Sequence, residues 1–313
     1  MKLTERVEQI LSWYQHENEG TINNIKRLLM SGTLAGTGKL VILPVDQGFE
    51  HGPSKSFAMN QDAYDPEYHF KFALDAGCNA YAAPLGFIEH GAYKYADKIP
   101  LILKLNNSES IFSGEPGQIM TSSVEDAERL GCVAVGFSIY PGSNNAPKMY
   151  EELREITRKA KSKGLAVVVW SYPRGGSLKK EDETAVDVVA YAAHIAAQMG
   201  ANIIKIKPPS DYISSEDSKK IFIDNAIPTQ ELSDRVSYCI QSSFNGKRIV
   251  IFSGGAAKNK EDIISEITGI AKGGGFGSIV GRNSFQRPYH EGKSLMKEIM
   301  TIYSNESTNI LKS

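Results

Sequence analysis

The chain has 313 residues, 41% hydrophobic and 23% charged, with 35 Lys and Arg against 36 Asp and Glu and a formal net charge of −1. That length holds one large domain or two ordinary ones, and the even balance leaves no electrostatic footprint for nucleic acid or an anionic membrane surface. No apolar run approaches a membrane span, and residues 1–15 mix charges with apolar side chains, so neither a transmembrane segment nor a secretory leader is expected.

In chain order, residues 1–35 predict two helices ahead of the main fold. Val7, Ile10 and Leu11 form one apolar stripe, Ile22, Ile25, Leu28 and Leu29 a second, and Gly32 is the stop. Residues 39–46 form an apolar strand that ends on a carboxylate, and 47–53 read as a loop dense in glycine and polar groups. Asp65 at N-cap and Pro66 at N1 start a helix that closes at Gly77. Strands follow at 80–84, 100–105, 132–138 and 165–172. They alternate with helices, one capped by Ser122 or Ser123, others over 147–162 and 183–199. Cys78 and Cys132 each follow a glycine at a strand entry and read as small core hydrophobes. With Cys239 they are odd in number and widely spaced, which gives no disulfide framework or metal motif and points to a reducing cytoplasm. The sixth strand covers 201–207 and stops at Pro208-Pro209. Residues 208–227 form a polar, irregular excursion, a lid or an exposed insertion. A helix at 229–243, a seventh strand at 248–255, a helix at 260–272, an eighth strand at 277–282 and a last helix at 295–303 complete the chain.

Eight apolar strands alternating with helices are the pattern of an α/β (β/α)₈ TIM barrel, here with a short N-terminal helical extension. An open doubly wound sheet is the competing fold, but no Gly-x-Gly-x-x-Gly follows the first strand. No linker or composition shift divides the chain. It is read as one domain over 1–313, with 1–35 as the extension and 38–300 as the barrel.

Barrel chemistry sits at the C-terminal strand ends. Those ends carry Asp46, Lys104, Trp170, Tyr172, Lys205, Lys207, the Ser253-Gly254-Gly255 turn and the Gly281-Arg282 turn. Strand alternation puts Ile203, Lys205 and Lys207 on one face and Ile204 and Ile206 on the other. Lysine is seldom buried unless paired, so an edge strand with solvated lysines is the ordinary reading. The alternative is an amine whose pKa is depressed by burial and a second cation, free to attack a carbonyl. Lys104 is a rival nucleophile by location. The two glycine turns follow strands seven and eight, where barrels bind phosphate through backbone N–H groups, and Arg282 can fork onto phosphate oxygens. Trp170 suits core packing as well as substrate contact, Asp46 suits a helix cap, and His51 suits an ordinary loop. Tyr172 lies before Pro173-Arg174-Gly175-Gly176, within reach of a bound molecule. The remaining histidines lack His-x-His or His-x-x-x-His spacing, so no catalytic metal is expected.

Taken together, Val45-Asp46-Gln47-Gly48-Phe49-Glu50-His51-Gly52-Pro53, Trp170-Ser171-Tyr172-Pro173-Arg174-Gly175, Lys205-Ile206-Lys207, Ser253-Gly254-Gly255 and Val280-Gly281-Arg282-Asn283 resemble the class I fructose-bisphosphate aldolases of the archaeal and bacterial type, over about residues 38–300. The resemblance implies Lys205 as the Schiff-base lysine, a choice that strand geometry alone leaves open against Lys207. It implies Tyr172 as proton donor, Asp46 as the substrate-binding and proton-shuttling catalytic carboxylate, and Trp170 and Arg174 as substrate contacts, with His51 and Lys207 set beside them. Ser253, Gly254, Gly255, Gly281 and Arg282 match its phosphate cradle. It implies reversible cleavage of fructose 1,6-bisphosphate without a metal cofactor, by a homo-oligomer of glycolysis and gluconeogenesis. One departure is Asp46-Gln47-Gly48, where many relatives carry Asp-His-Gly. Another lysine aldolase or transaldolase, or a phosphosugar-binding barrel without catalysis, are the competing functions.

Overall fold

The computed structural model describes residues 2–111, 113–254 and 259–310. Strands β1 (Leu40–Pro44), β2 (Ala80–Ala83), β3 (Leu101–Lys104), β4 (Ala134–Ile139), β5 (Ala166–Ser171), β6 (Ile203–Ile206), β7 (Ile249–Ser253) and β8 (Gly277–Ile279) pair in parallel with their sequence neighbours, and β8 closes onto β1. This is the eight-stranded closed barrel expected from the sequence.

Strand periodicity sorts the core into two shells. Leu40, Ile42, Ile102, Val168, Ile203, Ile249 and Ile251 point inward and form one buried cluster. Their neighbours Val41, Leu43, Leu101, Leu103, Val167, Val169, Ile204 and Val250 point outward into a second cluster under the surrounding helices. A one-residue slip in any strand would exchange the two sets, which fixes the register. It also fixes that Lys104, Trp170 and Lys205, in step with Ile102, Val168 and Ile203, belong to the interior.

The helix-to-strand turns share one device. Gly77, Gly131 and Gly200 adopt φ of +77°, +69° and +87°, and the next residue's N–H returns to the helix: Cys78 to Ala73, Cys132 to Ala127 and Ala201 to Ala196. This is the left-handed cap that glycine adopts without a Cβ penalty. Two turns then add an asparagine. Asn79 Oδ1 accepts from Val41 N–H and Asn202 Oδ1 from Val167 N–H, each at 2.8 Å, so the side chain extends the ladder of the strand beside it.

Helices α1 (Glu5–Ser12) and α2 (Glu19–Leu29) cover the N-terminal end of the barrel. Val7, Ile10, Tyr14, Ile25, Leu28 and Leu29 pack into the inward cluster. Tyr14 is fully buried; its hydroxyl donates to the Asn202 carbonyl at 2.6 Å and accepts from Ile249 N–H at 3.1 Å. The extension therefore fastens β6 to β7 at the entry of the lysine strand.

Two segments read as irregular are partly helical. Residues 47–53 contain α3 (Gln47–His51), after which Gly52 breaks the chain and Pro53 starts α4 (Pro53–Phe57). The Pro at N1 is the signal that a glycine-dense reading passes over. Likewise, 208–227 contains α10 (Glu216–Asp224), N-capped by Ser215. Elsewhere the helices fall close to expectation: α5 (Pro66–Asp75), α6 (Leu85–Tyr95), α7 (Val124–Arg129, with Ser123 in a capping box to Asp126), α8 (Ala146–Ser162), α9 (Val186–Gln198), α11 (Leu232–Ser242) and α12 (Lys260–Lys272). A short α13 (Arg282–Phe285) precedes the last helix, α14 (Tyr289–Ile310), which is longer at both ends than the apolar pattern indicated.

Tyr14→Phe should lower stability by about 1–3 kcal/mol, because the buried Asn202 carbonyl and Ile249 N–H both lose a partner. Urea unfolding measures it; an unmoved midpoint would show that the hydroxyl does not fasten the strands.

Candidate active site

The inward rows of β3, β5 and β6 end at the C-terminal mouth in Lys104, Trp170 and Lys205. Lys104 is 1% and Lys205 5% exposed. Between β3 and β5, Gly136 of β4 pairs with Lys104 on one side and Val168 on the other. A Cβ at Gly136 would run into the six-membered ring of Trp170. The missing side chain lets the indole lie across β4, and both amines sit beside it: Lys205 Nζ is 5.1 Å and Lys104 Nζ 5.8 Å from its centroid.

Two carboxylates approach from the segment after β1. Asp46 is the N-cap residue of α3, yet its side chain makes no capping hydrogen bond; it is turned toward the barrel instead. Glu50 lies one helical turn on, so both acids share a face. Lys104 Nζ is 3.9 Å from Asp46 Oδ2 and 3.7 Å from Glu50 Oε1, and donates to the Asn106 carbonyl at 2.6 Å. Burial and the neighbouring Asp46 raise the Glu50 carboxyl above its ordinary pKa, against the pull of Lys104 and Lys205.

The Lys205 amine is lowered to about 8. Burial is the main cause; Asp46 and Glu50 oppose it, and the cations Lys104 and Arg282 add to it. Alternation alone would put Lys207 beside Lys205 as the second cation. Lys207 instead lies past the end of β6, where its Nζ is 2.9 Å from Glu183 Oε2. Glu183 partly restores an ammonium that burial depresses.

These groups open into one cavity of about 320 Å³. Asp46, His51, Tyr172, Arg174, Lys205 and Lys207 line it together with Ser253, Gly254, Gly281 and Arg282. The Tyr172 hydroxyl is hydrogen-bonded with Ser253; burial, with the charge of Asp46, pushes the phenol well above its ordinary pKa. Arg174 stacks its guanidinium 4.4 Å over Tyr140. Burial, aided by the Arg282 charge, lowers His51. Trp170 forms no part of the cavity lining; it lies buried against Lys205, and its indole N–H has no hydrogen-bond partner among the described residues. On the far wall Asn283 Nδ2 donates to the Gly254 carbonyl at 3.0 Å, tying the turn after β7 to α13. A Cβ at Gly281 would press on the Pro44 carbonyl and on Gln47 Nε2 at 2.9 and 2.7 Å, so glycine is needed for the approach to β1. Gly255 lies outside the described residues.

Glu50, Glu183 and Tyr140 were not singled out from sequence. For Glu50 the signal existed as i, i+4 spacing from Asp46, visible only once 47–51 is helical. Among the described residues no group of three or more His, Cys, Asp or Glu side chains is arranged to hold a metal ion.

Residues 40–287 match the model of the DeoC/LacD family aldolases. The chain is 42% identical over 255 residues to the fructose-bisphosphate aldolase class 1 of Thermoproteus tenax, covering 81% of this chain and 86% of that protein. It is 34% identical over 307 residues to a probable fructose-bisphosphate aldolase class 1 of Chlamydia trachomatis, with 94% and 87% covered. Among solved structures, an archaeal fructose-1,6-bisphosphate aldolase whose catalytic lysine is covalently bound to the carbinolamine intermediate of the substrate superposes with a TM-score of 0.75 at 36% identity, covering 90% of this chain and all of that one.

A double-mutant cycle on Lys207→Met and Glu183→Gln should return a coupling of about 0.5–3 kcal/mol in chemical unfolding. Additive effects would show that this contact holds nothing.

Proposed function

The chain belongs to the DeoC/LacD family of aldolases, and from that membership we propose that it is a class I fructose-bisphosphate aldolase, a lyase that reversibly cleaves fructose 1,6-bisphosphate into dihydroxyacetone phosphate and glyceraldehyde 3-phosphate through a Schiff base on Lys205. One observation carries the residue assignment: a buried amine with its pKa lowered to about 8 faces a cavity that also holds Tyr172 and Asp46.

In the cleavage direction neutral Lys205 attacks the C2 ketone, and the carbinolamine loses water to leave an iminium. As C3–C4 breaks, the bonding pair moves into the iminium to form an enamine, and the C4 hydroxyl proton passes to Asp46 as the aldehyde forms. The enamine is then protonated at carbon, and water releases the ketone. Tyr172 is the donor for dehydration and for enamine protonation. Its raised pKa suits that role, since the phenol keeps its proton across the working range. Arg174, Lys207 and His51 are the proposed substrate contacts, while Trp170, buried outside the cavity lining, backs Lys205. Ser253, Gly254, Gly281 and Arg282, with Gly255 by family likeness, cradle the phosphate at the C1 end, so that remote binding energy orients the reacting carbons. The convergence of Lys205, Tyr172 and Asp46 in one cavity speaks against a barrel that binds phosphosugars without catalysis.

The family likeness extends the proposal to a homo-oligomer working in glycolysis or gluconeogenesis in the cytoplasm. Three free, buried cysteines suit a reducing compartment. Exposed Tyr191, Ile221 and Ile223 on α9 and α10 suit a subunit interface.

Borohydride added with dihydroxyacetone phosphate should leave one reduced adduct, placed on Lys205 by peptide mass analysis, and Lys205→Met should abolish it. Because attack needs the neutral amine, trapping should quicken about tenfold per pH unit below 8 and level off above it. A chain that turns over without a trappable lysine would remove the mechanism.

Arg282→Ala should raise KM for the bisphosphate roughly tenfold to a hundredfold with a smaller change in kcat, the loss of one charge-assisted contact. An unchanged KM would place the phosphate elsewhere.

A further inference from the structure

Lys104 takes no part in the chemistry above, although it is among the most buried charged side chains of the molecule. We propose that Lys104 is the positioning residue that releases Lys205 for attack: it holds Asp46 and Glu50 across the top of the barrel, so that these acids do not take Lys205 as their counterion. The inference rests on Lys205 as the Schiff-base lysine and gives the cation beside it a task.

Geometry sets the competition. Around Lys205 stand Asp46 and Glu50 from the segment after β1, Lys104 from β3, Trp170 from β5 and Tyr172 just past its end, and Arg282 from α13, with Arg174 acting on Glu50 and Lys207 past the strand's own end. Two carboxylates thus face two buried amines. Lys104 has the acids within ion-pair distance, at 3.7 and 3.9 Å, and donates its hydrogen bond to the Asn106 carbonyl. Asn106 is itself fixed, since it donates to the Ser138 carbonyl and accepts from Ser138 N–H at 2.8 and 2.7 Å. One hydrogen bond and two flanking acids direct the Lys104 amine, which makes it a poor nucleophile. Lys205 is left with the indole face and the phenol ring, at 5.1 and 5.4 Å, surroundings that do not bind a proton. Remove Lys104, and the carboxylates have Lys205 as the nearest cation. An amine paired with a carboxylate is protonated and does not attack a ketone.

The test compares the pH dependence of borohydride trapping by dihydroxyacetone phosphate in the full-length chain, Lys104→Met, Lys104→Arg and the double variant Lys104→Met/Glu50→Gln. In Lys104→Met the midpoint for trapping on Lys205 should move up by about one pH unit, the size expected for loss of a nearby cation in a protein interior. Trapping should slow roughly tenfold at neutral pH and recover in alkali. Lys104→Arg, which keeps the charge, should keep the midpoint. The double variant, which removes a carboxylate with the cation, should move it back toward the parent value, and it should fold even where the single variant leaves Glu50 without its cation. A merely structural role would lower trapping equally at every pH with the midpoint unmoved, and that result overturns the proposal, as does an adduct on Lys104 itself. Failure of the parent chain to trap on Lys205 would instead overturn the aldolase reading, so the two failures are distinct.

Discussion

An amine that must be neutral to react is kept here where water cannot solvate its charge. Desolvation of Lys205 is the largest influence on its pKa, and the architecture reads as what that burial requires. The amine has to project from the inner face of a closed barrel, near the end of a strand, with aromatic rings and not carboxylates as its immediate neighbours. A buried lysine without a counterion costs several kcal/mol if it remains charged. The neutral form, which is the proposed nucleophile, avoids most of that cost. Burial and reactivity are therefore one property.

Barrel closure supplies the rest by parity. Because neighbouring strands are in fixed parallel register, one residue in two faces inward, and Ile102, Val168 and Ile203 place Lys104, Trp170 and Lys205 in the layer above them. Gly136 is the inward position of β4 with no side chain, and the space it leaves is filled by the indole that both amines share. A side chain there would force the Trp170 ring to move, since even a Cβ would run into it. At the other end of the barrel Tyr14 joins β6 to β7, so the lysine strand is anchored at its entry as well as at its reactive end. The cavity's far wall depends on Gly281, whose lack of a side chain lets the start of α13 approach Pro44 and Gln47 closely enough to face the carboxylates.

The fold was legible because its signals are local and repeated: apolar runs, glycine stops, Asp65-Pro66 and Ser123 as caps. Strand ends then pointed to one rim, and all the singled-out residues in the described part of the chain stand at that rim. What escaped was whatever depends on conformation within a short loop or on distance across the barrel. Residues 47–51 carry Gly48 and polar side chains, so their helical turn, and with it the pairing of Glu50 with Asp46, was hidden. Glu183 lies 24 residues before Lys207 and meets it only because the segment after β5 folds back over the end of β6. Residues 208–227 lacked a strong apolar period, since α10 buries little beyond Phe222.

The choice between Lys205 and Lys207 shows where parity stops being enough. Both face inward by alternation, and spacing cannot rank them. The strand, however, ends at Ile206. Lys205 is the last inward side chain still enclosed by paired neighbours, whereas Lys207 belongs to the loop, where a carboxylate can reach it. Lys207 at the rim has Glu183 as its partner; one step deeper, burial is the main influence on Lys205, and the two acids lie within ion-pair distance of Lys104. Position along the strand, read against where the ladder stops, separates the rim lysine, which has a carboxylate partner, from the deeper lysine proposed as the nucleophile. The same reasoning places Lys104, which sits equally deep, with the partnered lysine, because acids surround it.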